Sequence, residues 1–215
     1  MADIYATIAA AEHDVQERLA AVLERRAADT QQRWMLNTYL ADIEFPDGAE
    51  VLDAGCGTGA VSRVLAGCNG VGRVVGIDPS PVFLAVARER AVGFNNLYFI
   101  EGDCRLLPFA DSSFDIITFH TTLSHVPDPQ SALKEAFRVL RSGGTLAVFD
   151  GNYTTTTLAN GDFDPLQASA DAAMEALVHD RWLIQRLPTL VRSAGFSICK
   201  PVSYTHLTLP TILRV

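Results

Sequence analysis

The stretch VLDAGCGTGA over residues 51–60 is the part of this chain best suited to chemistry. Gly55, Gly57 and Gly59 alternate with small residues directly after an apolar run. A backbone without β-carbons can take positive φ there and approach a ligand closely. Such a loop between a strand and a helix suits nucleotide-like ligands, and two readings of it compete. As G-x-G-x-x-A it matches a dinucleotide fingerprint, the NAD-dependent oxidoreductase reading, and Asp78, 23 residues past Gly55, suits a ribose diol. Asp53, however, stands just before the first glycine, where a carboxylate would oppose a pyrophosphate and attract a cation. Further groups able to bind or move protons follow at Asp103, His120, His125 and Asp150.

The elements that must position these groups are legible as alternating patterns. Short β-branched runs at 50–54, 73–77, 97–101, 114–119 and 145–150 are interleaved with helical stretches at 61–66, 81–92 and 130–141. The runs 115–119 and 146–149 are uncharged inside, as strands covered on both faces are. The order predicts an α/β fold with a doubly wound, mainly parallel sheet whose ligand sits at the carboxyl ends of the strands. Upstream, Ile4, Ile8, Ala11, Val15, Leu19 and Val22 form one stripe, which predicts a single amphipathic helix over residues 1–28. A second helix through Leu40 starts at an Asp29 or Thr30 cap. After Gly151 the pattern predicts a Thr-rich loop, helices over 166–178 and 180–194, and a strand over 196–200 behind Gly195.

Taken together, the motifs resemble those of class I S-adenosylmethionine-dependent methyltransferases. The D-x-G-x-G-x-G loop is accompanied by Gly76, Asp78, Pro79 and Ser80 ending the second strand, and by Glu101, Gly102, Asp103 and Cys104 ending the third. The stretches 114–120 and 136–144 resemble the family's fourth motif and the helix and Gly-Gly turn before its fifth strand. The likeness spans roughly residues 32–200 and is nearest the small-molecule branch that includes quinone-biosynthesis C-methyltransferases.

It implies a Rossmann-like domain over 46–200, a helical cap over 1–45, and S-adenosylmethionine as cofactor. It further implies that Gly55, Cys56, Gly57 and Gly59 line the cofactor, with Asp53 facing the methionine ammonium and Asp78 holding the ribose. Asp103 would accept from the adenine amine, bordered by Gly102 and Cys104 and flanked by Pro79 and Ser80. His120 and Thr121 lie where the family's backbone meets the ammonium group. If the acceptor needs a base, His125 comes first, because an imidazole titrates near working pH, with His120 and Asp150 behind it. Trp34, Phe83, Tyr153 and Phe163 offer aromatic surface for an apolar pocket, with helix or loop packing the first expectation for each. A degenerate fold kept as a binding module would have no use for an intact glycine loop and three acids. Family members close the sheet with a hairpin of sixth and seventh strands; only the sixth is recognisable, so the sheet is expected to be incomplete.

Composition agrees with a small ligand. Of 215 residues, 25 are acidic and 17 basic, and the formal charge of −8 disfavours a nucleic-acid partner. Cys56, Cys68, Cys104 and Cys199 show no paired spacing, which predicts reduced thiols and no metal. The start of the chain has no leader pattern and nowhere do 18 apolar residues run together, so the expectation is a cytoplasmic monomer or homodimer with no membrane contact. The stretch 202–215 alternates like a strand, although Pro210 would restrict it to an edge. Its Thr/Leu run resembles translated sequencing-adapter read-through, which sets residues 201–215 apart as a tail of doubtful origin.

Overall fold

The computed structural model describes residues 3–161 and 163–201. Five strands form one sheet: β1 (Ala49–Ala54), β2 (Val71–Asp78), β3 (Leu97–Glu101), β4 (Phe114–His120) and β5 (Leu140–Phe149). Their order is β3-β2-β1-β4-β5, and every pairing is parallel. Consecutive residues of the inner strands enter different cores. Val51, Val74 and Ile116 pack with Leu65 and Leu84 on one face, whereas Leu52, Val75 and Ile117 pack with Leu133 and Leu183 on the other. A strand buried on both faces has no polar side, which is why these runs read as continuous apolar stretches.

The helices start where the sequence supplies caps. Asp29 accepts from the backbone N–H groups of Gln31 and Gln32 to open α2 (Thr30–Leu40), which follows α1 (His13–Ala28). The next is α3 (Ala60–Ala66), entered from left-handed Gly59. Ser80 accepts from Phe83 N ahead of Pro81 to open α4 (Pro81–Arg90), and Asp128 does the same through Ser131 N for α5 (Pro129–Val139). The chain continues through α6 (Leu166–Leu177) and α7 (Leu183–Ser193).

The chain runs outward from β1 to β2 and β3, then returns from β3 to the other side of β1 as β4 and continues to β5, so the carboxyl ends of β1 and β4 flank the crevice of a doubly wound sheet.

Two expectations are corrected. The first 28 residues are not one helix: a 3-10 turn at Ile8–Ala10 is followed by an extended Ala11, and α1 begins only at His13. The break is held by Gln16, whose side-chain amide donates to the Ala11 carbonyl at 2.8 Å, while buried Ile8 packs with Ala20 and Phe83. Residues 3–11 thus form an arm that folds back over the strand ends.

The stretch 196–200 is not a strand either. Gly195, at φ +107, turns the chain so that Phe196 N donates back to the Val191 carbonyl, and Lys200 pairs with Asp42 at 2.7 Å. Among the described residues the sheet therefore ends at β5. The expected strand-like tail over 202–215 lies outside the described residues. Among them, no helix is long and apolar enough to cross a membrane, and no group of three metal-ligating side chains converges.

Candidate active site

The crevice has two walls. The first is the glycine loop. Gly55 and Cys56 both donate their backbone N–H to the Ile77 carbonyl, at 2.8 and 3.0 Å, which draws the loop across the end of β2. Gly55 has φ +74, and a β-carbon there would lie 2.2 Å from the Thr122 methyl, so the loop after β4 packs directly on its backbone. Gly59 has φ +72 and leaves no room either, because Phe99 would stand 2.6 Å from its β-carbon. Leu23 of α1 covers Gly57 from above.

Two acids serve this loop from inside. Asp53, only 1% exposed, accepts from Ser62 Oγ at 2.5 Å and Thr118 Oγ1 at 3.1 Å. Asp78, also buried, accepts from Gly57 N at 2.8 Å and Ser80 N at 2.9 Å. Burial pushes both carboxyls up to about 6, and neither bonds a basic side chain among the described residues. Two buried acids with no cation make a site that favours a positively charged ligand over a pyrophosphate.

Ser80, next to Pro79, gives its hydroxyl to Gln16 Oε1 at 2.7 Å, tying α1 to the end of β2 beside Asp78. Glu24 of α1 adds a second tie, accepting from Arg63 of α3 at 2.9 Å and pairing with Arg90 of α4 at 3.5 Å.

Asp103 lies at the third strand end as expected, just beyond Gly102, with its carboxylate forked by Arg105 at 2.6 to 3.0 Å, which holds it below the usual carboxylate range. Cys56 and Cys104 are buried beside these acids; burial pushes the Cys104 thiol up to about 12, so it is no nucleophile.

The second wall is built from β4, β5 and the arm. His120, Phe149 and Tyr39 form a mutual aromatic cluster, with His120 4.7 Å from Phe149 and 5.8 Å from Tyr39 and those two rings 5.6 Å apart, and the His120 Nδ1 meets the Tyr39 hydroxyl at 3.0 Å. Burial, aided by the Arg26 charge, lowers its pKa to about 3, which leaves a neutral ring and a poor base. Thr121 takes φ +53, a left-handed conformation costly for a β-branched residue, and its N–H donates to the Phe149 carbonyl at 2.6 Å. Asp150 spends both oxygens on bracing: Ser124 N, Ser124 Oγ and Gly151 N all donate to it within 3.0 Å.

His125 is placed differently. It ends the short 3-10 turn Leu123–His125, with Tyr5 at 4.9 Å and Tyr153 at 6.5 Å between ring centres, and Nδ1 is 2.7 Å from Asp3 Oδ2.

The acids and glycines singled out from sequence thus gather on the first wall, and His120, Thr121, His125 and Asp150 on the second. Of the aromatic candidates, Tyr153 belongs to the second wall. Phe163 is 102% exposed on a loop, Trp34 is more than half exposed on α2, and Phe83 is buried under the arm. Sequence reasoning missed Asp3, Tyr5, Gln16, Tyr39, Ser62 and Thr118. Ser62 and Thr118 had a usable signal, lying on the helix and strand that flank Asp53. Asp3 and Tyr5 had none, because nothing local to the arm announces where it lands.

Residues 52–148 match the model of a family described as a methyltransferase domain. Over 116 residues, 54% of this chain, the sequence is 40% identical to the 2-phytyl-1,4-naphtoquinone methyltransferase of Thermosynechococcus vestitus, covering 52% of that protein. It is 37% identical over 117 residues, 54% of this chain, to the demethylmenaquinone methyltransferase of Staphylococcus haemolyticus, covering 49% of it. The chain therefore spans about half the length of these curated relatives. A crystal structure of a putative methyltransferase from Bacillus halodurans superposes with a TM-score of 0.63 at 28% identity, covering 77% of this chain and 70% of that one.

The glycine loop and the two buried acids, Asp53 and Asp78, all lie inside residues 52–148, the stretch over which this chain is similar to a methyltransferase domain.

Proposed function

We propose that this chain moves a methyl group from S-adenosylmethionine to a small aromatic acceptor of the naphthoquinol type. The observation that carries the reading is the pair of buried carboxylates, Asp53 and Asp78, at a glycine loop with no basic partner among the described residues. When bound, the cofactor supplies a methyl carbon on a positively charged sulfur, a leaving group good enough that the protein needs no nucleophile of its own. The acceptor class is supported by the names of the two curated relatives and by the aromatic lining of the second wall, Tyr39, Phe149, Tyr5 and Tyr153.

In this reading Asp78 takes the ribose hydroxyls, Asp53 favours the positive end of the methionine portion, and Asp103, Gly102 and Cys104 border the adenine. Orientation and exclusion of water do most of the work, on the order of 7 to 11 kcal/mol at best. His125 is the base. His120 is too weakly basic and Asp150 too fully bonded to compete. Residues 1–45 act as a cap over the domain that follows, a role supported by Leu23 on the glycine loop and by the arm on the second wall. The acidic charge and unpaired thiols suit the cytoplasm.

Calorimetric titration tests this reading with S-adenosylmethionine, its demethylated product S-adenosylhomocysteine, and NAD. The first two should bind and NAD should not. Asp78→Ala should weaken S-adenosylmethionine by about 10- to 100-fold, the worth of hydrogen bonds to a charged group. Binding of NAD alone would overturn the assignment.

A further inference from the structure

The N-terminal arm delivers a carboxylate to the histidine of the second wall. Asp3 Oδ2 lies 2.7 Å from His125 Nδ1, across 122 residues of chain. Asp3 is 3% exposed, although it stands near the start of the described chain. Its other contacts leave it no freedom: Oδ1 accepts from Tyr5 N at 2.8 Å, and Oδ2 also accepts from His179 N at 2.7 Å. One carboxylate therefore joins the arm, the turn after β4 and the segment between α6 and α7.

A carboxylate only accepts, so the hydrogen of this contact belongs to the imidazole, on Nδ1. A neutral ring protonated at Nδ1 carries its lone pair on Nε2, which has no hydrogen-bond partner among the described residues. Nε2 is then the nitrogen able to take a proton.

We propose that Asp3 is a positioning residue, holding His125 in the Nδ1–H tautomer so that Nε2 serves as the base toward the methyl acceptor. The proposal rests on the reading of His125 as the base. In the step it supports, the acceptor gives its proton to Nε2 and its electron pair to the methyl carbon. The carbon–sulfur bond breaks with its electron pair on sulfur, and the imidazolium later loses the proton to water. Asp3 fixes the ring and stabilises the transient cation, as the acid of a Ser-His-Asp triad does. The arm thereby becomes part of the reaction centre, and the base is competent only with the arm in place.

The test has two parts. In the full-length protein labelled with 15N-histidine, long-range proton–nitrogen correlation spectra report the tautomer of His125, assigned with His125→Ala. The neutral ring should carry its hydrogen on Nδ1; a ring protonated on Nε2 overturns the proposal without any acceptor being needed. Methyl transfer to 1,4-naphthohydroquinone is then measured for Asp3→Asn, Asp3→Ala, His125→Ala and the Asp3→Ala/His125→Ala double variant, with S-adenosylmethionine binding followed by calorimetry.

Either Asp3 variant should lower kcat at least tenfold while KM and cofactor affinity stay within about threefold, and the double variant should be no slower than His125→Ala alone. Loss that adds in the double variant would mean that Asp3 merely holds the arm, and would sink this proposal while leaving the base intact. Full activity in His125→Ala would sink the base reading itself and this proposal with it. If Asp3→Ala does not fold, Asp3→Asn and the wild-type tautomer still decide.

Discussion

The two walls of the crevice are made in different ways. The first wall is backbone work: Gly55, Gly57 and Gly59 follow one strand, and Asp78 ends the neighbouring one and bonds Gly57 N and Ser80 N. The second wall is side-chain work across long gaps, with His120 meeting Tyr39 from 81 residues away and His125 meeting Asp3 from 122. Geometry dictated by neighbours in sequence suits a ligand whose form never changes. Geometry assembled from distant segments leaves the second wall able to take a different shape for each acceptor without disturbing the first.

If the walls are separable in this way, damage to one should spare the other. The largest effect is expected for His125→Ala, where removing a proton acceptor should cost roughly 10²- to 10⁴-fold in kcat. The dissociation constant for S-adenosylmethionine should stay within about threefold, and single-turnover assays with calorimetry check both. Gly55→Ala should break the boundary itself. Its β-carbon would fall 2.2 Å from Thr122 at φ +74, so both walls would shift. The expected cost is about 2 to 4 kcal/mol in stability, read by denaturant unfolding, with cofactor binding lost.

A proton count sharpens the contrast further. Asp53 and Asp78 titrate near 6 because they are buried without a cation, and a positively charged ligand lowers both values. Binding S-adenosylmethionine at pH 6 should therefore release up to about one proton, measured by calorimetry in buffers of different ionisation enthalpy. The same two groups sit above their ordinary value of 3.8, so the stability they contribute is complete below pH 4 and is lost as pH rises through 6. Unfolding of the ligand-free protein at pH 4.5 and 7 checks that sign once the opposing lowered acids, Asp103, Asp115, Asp128, Glu135 and Asp164, are replaced by their amides. The smallest effect belongs to Glu24→Gln, which removes a tie and no ligand contact. About 1 kcal/mol is expected, a fall of roughly 2 to 4 °C in Tm, with cofactor affinity unchanged.

What could be read without coordinates follows the same division. The five strands, the caps at Asp29 and Ser80 and the positions of Asp53, Asp78 and Asp103 at strand ends were legible because each carries a local mark, an apolar run, a cap before a helix or an acid where such a run stops. The arm was misread as helix because the Ile4-to-Val22 stripe satisfies helical spacing; the interruption at Ala11 is decided by Gln16 and by the burial of Ile8, which are tertiary facts. The strand expected over 196–200 had suitable residues, but a strand exists only beside a partner, and Gly195 turns this segment back toward α7. Asp3 was invisible for the same reason, since an acid near the start of a chain has no local mark of the histidine it meets.

Glu24 joins α1 to both α3 and α4, the helices that follow the glycine loop and Asp78. Any movement of α1 that lifts Leu23 from Gly57 must part Glu24 from two guanidiniums as well as Gln16 from Ser80. Dwell time on this protein is then expected to depend in part on contacts away from the ligand, among them a pair that loosens with ionic strength. Product escape should quicken with added salt even where affinity for the departing molecule carries no charge dependence of its own.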